Sequence, residues 1–162
     1  MPEYGNKSYW DERYSAIEEK KYEWYMPYSK LKPHLVPYLK KHANFEILIP
    51  GCGSSCLGAE LYDEGYQHIT NVDSSSVVVS QMLDTYQDKE QMDFTVMDAC
   101  DMEFIPNDCF DLIIDKALLD CQLTTDSNFL NVTAYVKEIY RVLKPGGKLS
   151  LSLSLSLSLS LY

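Results

Sequence analysis

The chain has few basic residues: 14 Lys and Arg stand against 24 Asp and Glu, a formal net charge of −10 over 162 residues. A sequence-independent grip on phosphates needs the opposite balance, so no nucleic-acid partner is expected. Long apolar runs are also missing. Nothing approaches the ~20 residues of a membrane span, and the opening MPEYGNKSYWDERY has no basic region leading into an apolar one. The expectation is a cytoplasmic protein with no membrane partner. There are only three histidines, His34, His42 and His68, without metal-ligand spacing, and no GxSxG nucleophile turn, so neither a metal site nor that hydrolase chemistry is expected. The five cysteines are odd in number and scattered, and the one close pair, Cys52 and Cys56, is spaced CxxxC rather than CxxC. They read as reduced core and loop thiols.

What is present suits one domain, since 46% hydrophobic content in a chain near ~150 residues supports a single core. Residues 1–42, rich in aromatics and charge, read as a helical cap, with Leu35, Val36 and Leu39 at helix-like spacing before Lys40 and Lys41. In residues 43–148 the texture changes. Ile47-Leu48-Ile49 runs into Pro50-Gly51-Cys52-Gly53, then a helix from Leu57 to Gly65; His68 to Asp73 is a second strand, and Ser74, Ser75 and Ser76 offer caps to the next helix. Asp93 to Met97 and Phe110 to Ile114 give two more strands, and Val132 to Leu143 a helix with Val136, Ile139, Tyr140 and Leu143 on one face. A fifth strand should follow Lys144-Pro145-Gly146-Gly147. Short apolar strands alternating with helices predict an α/β fold, a Rossmann-like, doubly wound parallel sheet. Residues 149–162 form a Leu-Ser repeat closed by Tyr162, whose period of two permits an extended fifth strand. A CT dinucleotide repeat encodes that alternation in any frame, so a repeat-derived tail is expected, and transcript sequence past Leu149 checks it.

Two constellations carry chemistry. Gly51-x-Gly53 ends the first strand, and Asp73 ends the second, twenty residues after Gly53. Glycines let backbone amides approach a ligand closely, and a carboxylate at that distance suits a ribose diol. A nucleoside-bearing cofactor is one reading; a tight strand-to-helix turn is the other. A dinucleotide fingerprint wants glycine at 56, which is Cys56, and this counts against NAD. The second constellation is Asp98 after the third strand and Asp115-Lys116 after the fourth. Acids at successive carboxyl ends of an open parallel sheet converge on one crevice, with Asp98 placed for an adenine amino group or, alternatively, as a turn acid.

These residues carry a resemblance. Ile47 to Ser54, Val72 to Val79, Met97-Asp98, Phe110 to Lys116 and Val142 to Gly147 resemble the successive motifs of class I S-adenosylmethionine-dependent methyltransferases. Tyr9-Trp10-Asp11-Glu12-Arg13-Tyr14 and Tyr22-Glu23-Trp24-Tyr25 resemble the head of the subgroup that includes lysine methyltransferases of elongation factor 1-alpha. The resemblance implies S-adenosylmethionine as cofactor, with S-adenosylhomocysteine as product. It implies Gly51 and Gly53 in the glycine loop, Gly51 against the methionine part, Asp73 on the ribose hydroxyls, and Ser74 beside the adenine. Asp98 and Ala99 would lie at the adenine edge, Lys116 near the cofactor, and Trp10, Tyr14 and Trp24 in a lid, whose aromatic faces suit the sulfonium cation. The implied acceptor is an accessible protein lysine, of elongation factor 1-alpha for example. Asp120 is a candidate for orienting that amine, or else a turn acid. The family pattern also implies a helix and hairpin after the fifth strand, where this sequence has the Leu-Ser repeat, so the last strands of the usual sheet are expected to be missing. A small-molecule methyltransferase and a catalytically silent cofactor-binding protein share these motifs. A nicotinamide enzyme is disfavoured by Cys56 and by Lys144-Pro145-Gly146-Gly147.

Overall fold

Ile47 to Pro50 is buried at every position, the pattern of a strand covered on both faces. It is the middle strand of the sheet. The computed structural model describes residues 3–16, 21–124 and 128–152. In chain order these form α1 (Lys7–Ala16), α2 (Tyr28–Leu35), β1 (Ile47–Pro50), α3 (Leu57–Asp63), β2 (Ile69–Asp73) and α4 (Ser76–Thr85). There follow β3 (Met92–Val96), β4 (Phe110–Lys116), α5 (Leu118–Leu123), α6 (Asn128–Val142) and β5 (Leu143–Ser152). The five strands are parallel, in the order β3-β2-β1-β4-β5. The chain therefore winds outward from β1 and returns to its other side at β4, and a crevice opens at the carboxyl ends where the order reverses.

Alternation along the central strands divides the core in two. Ile47, Ile49, Leu112 and Ile114 meet Leu31 and Leu35 of α2, Leu61 of α3, and Val78 and Met82 of α4. Leu48, Val72 and Ile113 meet Tyr135, Ile139 and Val142 of α6 on the opposite face. The expected layers are present, with helices on both faces.

Three expectations need correction. The second helix ends at Leu35 rather than continuing through Leu39, and Val36 is exposed. α6 turns Tyr135, Ile139 and Val142 to the sheet, while Val136 and Tyr140 face solvent; the helix has two apolar flanks, and periodicity alone did not choose between them. β5 starts at Leu143 rather than after Gly147. Its register jumps from Phe110↔Leu143 to Leu112↔Lys148, because Pro145 brings no N–H to the ladder and the extra residues bulge out. Lys144 Nζ closes the bulge by donating to Asp111 at 2.6 Å. Of the Leu-Ser tail, Leu149 to Ser152 continue β5 alongside Ile113 to Lys116; 153–162 lie outside the described residues.

Candidate active site

The turn after β1 holds Gly51 at φ +62° and Gly53 at φ +52°, a left-handed backbone that side chains rarely adopt. Space requires glycine too. A Cβ on Gly51 would lie 2.9 Å from Leu118 Cδ1 of α5, and one on Gly53 2.8 Å from the Tyr14 hydroxyl of α1. The two glycines let α5 and the N-terminal cap close onto the loop. Gly53→Ala is expected to push Tyr14 off the loop and lower stability by about 1–3 kcal/mol; a urea denaturation midpoint unchanged from wild type would contradict this.

Asp73, at the end of β2, accepts hydrogen bonds from Gly53 N and Ser75 N, each at 2.9 Å. Burial raises its pKa, and the two backbone donors pull against that. Each carboxylate oxygen keeps an acceptor site, since an ionised carboxyl offers roughly four lone-pair positions. Ser75, not Ser74, caps α4, receiving Val78 N at 3.5 Å and donating to Asp11 Oδ1 at 2.6 Å. That contact ties α1 to the sheet.

Trp10, Tyr14 and Trp24 from the cap, Gly51, Asp73 and Ser74 from the first two strand ends, and Asp98, Ala99 and Lys116 from the next two line one cleft. Gly53 lines the hollow beside it, with Arg13, Tyr22 and Ser55. Met97, of the Met97-Asp98 motif, completes the cleft with Ala117, Leu118, Cys121 and Gln122; the last four were not anticipated, because nothing in their local pattern marks them. The cleft encloses about 70 Å³, and a wider hollow of about 380 Å³ continues past Ser74, Met97 and Asp98. Asp98 Oδ1 accepts Cys100 N at 2.8 Å, the turn-acid geometry, while its residue still faces the cleft.

The cap rings pack on one another: Trp10 stacks on Tyr14 with centroids 5.6 Å apart and meets Trp24 edge-on at 6.1 Å. The Arg13 guanidinium sits 5.9, 5.5 and 5.7 Å from the centroids of Trp10, Tyr22 and Trp24. The cation these rings face is therefore the chain's own Arg13, which the sequence reading did not anticipate.

Glu23 is the other unanticipated residue. Its carboxylate accepts Cys56 N at 2.5 Å, Ser55 Oγ at 2.9 Å, and the Lys116 ammonium. Lys116 is 7% exposed and also donates to Ser55 Oγ at 3.0 Å. One acid thus fastens the cap to the start of α3 and to the end of β4. Tyr25 and Ala117, next to Trp24 and Lys116 in sequence, have φ +60° and +85°, strain of the kind that gathers at functional sites. The Tyr25 hydroxyl donates to Asp120, so Asp120 is held at the base of the cap and is not among the cleft-lining residues.

Asp115 does not join the crevice. It is fully buried, accepting Leu118 N at 2.8 Å, Leu119 N at 3.1 Å and the Tyr135 hydroxyl at 2.7 Å. Alternation along β4 sends it to the α6 face, opposite Lys116. Burial pushes its pKa up to about 6 against those three donors. A carboxyl that binds its proton more tightly folded than unfolded loses stability as pH rises between the two values. Wild type should lose up to about 3 kcal/mol relative to Asp115→Asn between pH 4 and pH 6.5. Urea titrations of both proteins at the two pH values measure the difference.

A parallel sheet wound outward from a glycine loop, with an acid at the end of β2 and an aromatic cap over the crevice, is the class I methyltransferase architecture. The methyltransferase domain family model matches residues 48–151, and the chain belongs to that family. S-adenosylmethionine is the cofactor this membership indicates. Among relatives, the human eEF1A lysine and N-terminal methyltransferase is 37% identical over 149 residues, covering 90% of this chain and 21% of its own length. The mouse EEF1A lysine methyltransferase 4 is 32% identical over 155 residues, covering 90% and 60%. The chain thus spans about a fifth of the first relative and three fifths of the second. A putative S-adenosyl-L-methionine-dependent methyltransferase from Methanococcus maripaludis shares the fold, with TM-score 0.60, 17% identity, and coverage of 90% of this chain and 62% of that one.

Proposed function

We propose that this chain transfers a methyl group from S-adenosylmethionine to the side-chain amine of a lysine on a protein, elongation factor 1-alpha being the first acceptor to test. The observation that carries the reading is the cleft itself, where Gly51, Asp73 and Ser74 meet the cap rings at the sheet's reversal point. The donor set fits the cofactor. Asp73 keeps acceptor capacity for a diol, the bare glycine loop permits close backbone approach, and the hollow beside Asp98 and Ser74 has room for a flat ring. The lysine acceptor is supported by the names of the relatives at 37% and 32% identity.

When bound, S-adenosylmethionine supplies an activated methyl, so no covalent enzyme intermediate is needed. The chain's own work is alignment and exclusion of water. Asp73 and Ser74 hold the nucleoside end, Gly51 admits the methionine end, and Trp10, Tyr14 and Trp24 close over the reacting centre. The cleft beneath these rings is narrow, about 70 Å³, and it adjoins the wider hollow at Ser74, Met97 and Asp98. The excess of acid over base in the chain attracts a lysine ammonium, which must shed its proton before it attacks.

Calorimetric titration of S-adenosylmethionine, with NAD as control, tests the site, and radiolabelled methyl transfer to purified elongation factor 1-alpha tests the acceptor. Binding in the micromolar range with NAD silent is expected, followed by label on the protein at lysine. Label only in low-mass products would replace the acceptor class, and failure of a folded chain to bind would end the catalytic reading. Trp24→Ala should weaken cofactor binding by about tenfold, near 1.4 kcal/mol, while its circular dichroism stays that of wild type.

A further inference from the structure

At the amino ends of β1 and β2, the opposite end of the sheet from the cleft, lies a hollow of about 240 Å³. Lys40, Lys41, His42 and His68 line it, and no acid does. Its floor is aromatic. Phe45 and Tyr66 are buried with centroids 6.4 Å apart; His42 meets Phe45 edge-on at 5.3 Å, and the Lys41 ammonium lies 5.6 Å from the Tyr66 centroid. Two of the four basic groups are thus held in place by the floor itself. The backbone N–H groups of Ala43, Gln67 and His68, which line the same hollow, take no acceptor from the described residues.

The usual roles of such lysines do not apply. α2 ends at Leu35, so Lys40 and Lys41 lie too far along the chain to neutralise its last carbonyls. The last carbonyls of α3, those of Glu60, Leu61 and Tyr62, already accept from the N–H groups of Glu64, Gly65 and Tyr66. The neighbouring acids are committed as well. Glu64 accepts Lys32 Nζ at 2.6 Å and the Tyr28 hydroxyl at 2.9 Å, while Asp111 accepts Lys144 Nζ at 2.6 Å and Glu46 N at 3.0 Å. Glu46 Oε1 stands 3.8 Å from His68 Nδ1. Lys40 and Lys41 form no ion pair among the described residues, so two ammonium charges face the hollow uncompensated in a chain of net charge −10.

We propose that this hollow binds a single phosphate group, carried by a small molecule or by a phosphorylated side chain. A phosphate brings about two charges at neutral pH and several acceptor oxygens, which match two unpaired lysines, two imidazoles and free backbone donors. A carboxylate, with one charge and two oxygens, matches less well. The acidic remainder of the chain repels an extended polyanion, so the ligand is one group and not a nucleic-acid strand. The hollow is large enough for a group of several heavy atoms, since a water needs only about 10–15 Å³ of the same measure. Because β1 separates it from the glycine loop, cofactor binding is an independent readout.

The test is amide NMR of the intact chain titrated with inorganic phosphate at constant ionic strength, with acetate as control. Shifts at Ala43, Gly65 and Gln67 are expected to saturate at about millimolar phosphate or below, at least about tenfold more tightly than with acetate. A Lys40→Gln/Lys41→Gln double variant, altered only at exposed positions, should lose about tenfold in phosphate affinity, with circular dichroism and S-adenosylmethionine binding as in wild type. Lys137→Gln/Lys148→Gln removes the same charge from exposed positions on α6 and β5 and should leave phosphate affinity within about twofold of wild type. A phosphoserine peptide and its unphosphorylated twin separate the two sources: binding tighter than inorganic phosphate assigns the group to a polypeptide, and equal or weaker binding assigns it to a free small molecule. Phosphate held no more tightly than acetate, or equal losses from the two lysine pairs, overturns the proposal.

Discussion

Asp73→Ala is expected to remove S-adenosylmethionine binding and to lower the stability of the fold by about 2–6 kcal/mol, because two buried backbone donors lose their acceptor at about 1–3 kcal/mol each. The two effects share one side chain. Asp73 joins Gly53 N of the glycine loop to Ser75 N at the entry to α4, so it shapes the loop as well as facing the cleft. Asp73→Asn separates the roles: its amide oxygen can keep one backbone donor, while its NH₂ opposes the other and cannot accept from a diol. The Asn variant should fold, with a denaturation midpoint between those of wild type and Asp73→Ala, yet bind the cofactor at least about tenfold more weakly. Binding equal to wild type in a folded Asn variant would remove Asp73 from the ribose.

Lys116→Met should be the most damaging change in the cap anchor, with a loss near 3 kcal/mol, the lower end for breaking a buried ion pair, since the Glu23 side chain keeps 22% of its exposure. The loss has a particular source. With Lys116 gone, the Glu23 carboxylate keeps the Ser55 hydroxyl and Cys56 N–H but has no countercharge. Replacing both partners, Glu23→Gln with Lys116→Met, should recover more than half of the stability lost in the single variant, because no charge then remains to be neutralised. Cofactor affinity should not recover with it, since Lys116 itself lines the cleft. A double variant as unstable as Lys116→Met would show that the cost lies in packing around the lysine stem and not in the stranded acid.

The glycine loop, the acid at the end of β2 and the succession of strands and helices along the chain were legible because each is a local pattern with a local cause. An apolar run without alternation marks a strand buried on both faces, and Gly51-x-Gly53 marks a turn at φ near +60°. Asp73 at a strand end faces the crevice of any open parallel sheet. Glu23 was not legible, since an acid among aromatic residues has no periodic signature, and its partners Ser55, Cys56 and Lys116 lie 32 to 93 residues away. Asp115 was grouped with the crevice acids by its place at a strand end, but alternation put it on the opposite face from Lys116, where Tyr135 and α5 claim it.

The α6 face shows the limit of pattern reading. Phe129, Val136 and Tyr140 are as apolar as Tyr135, Ile139 and Val142, so the sequence contains two stripes of equal claim. The packing of Glu138 and Arg141 against the 102–105 segment, together with the Tyr135 hydroxyl on the buried Asp115, decides which stripe is core. By itself the sequence determined the period of each element, the glycine turns and the charge of each segment, because these depend on neighbours a few residues apart. The tertiary structure decided which face of an element is buried, which cation meets which ring and which acid fastens the cap, because those outcomes depend on residues that only the closed sheet brings within a few ångströms.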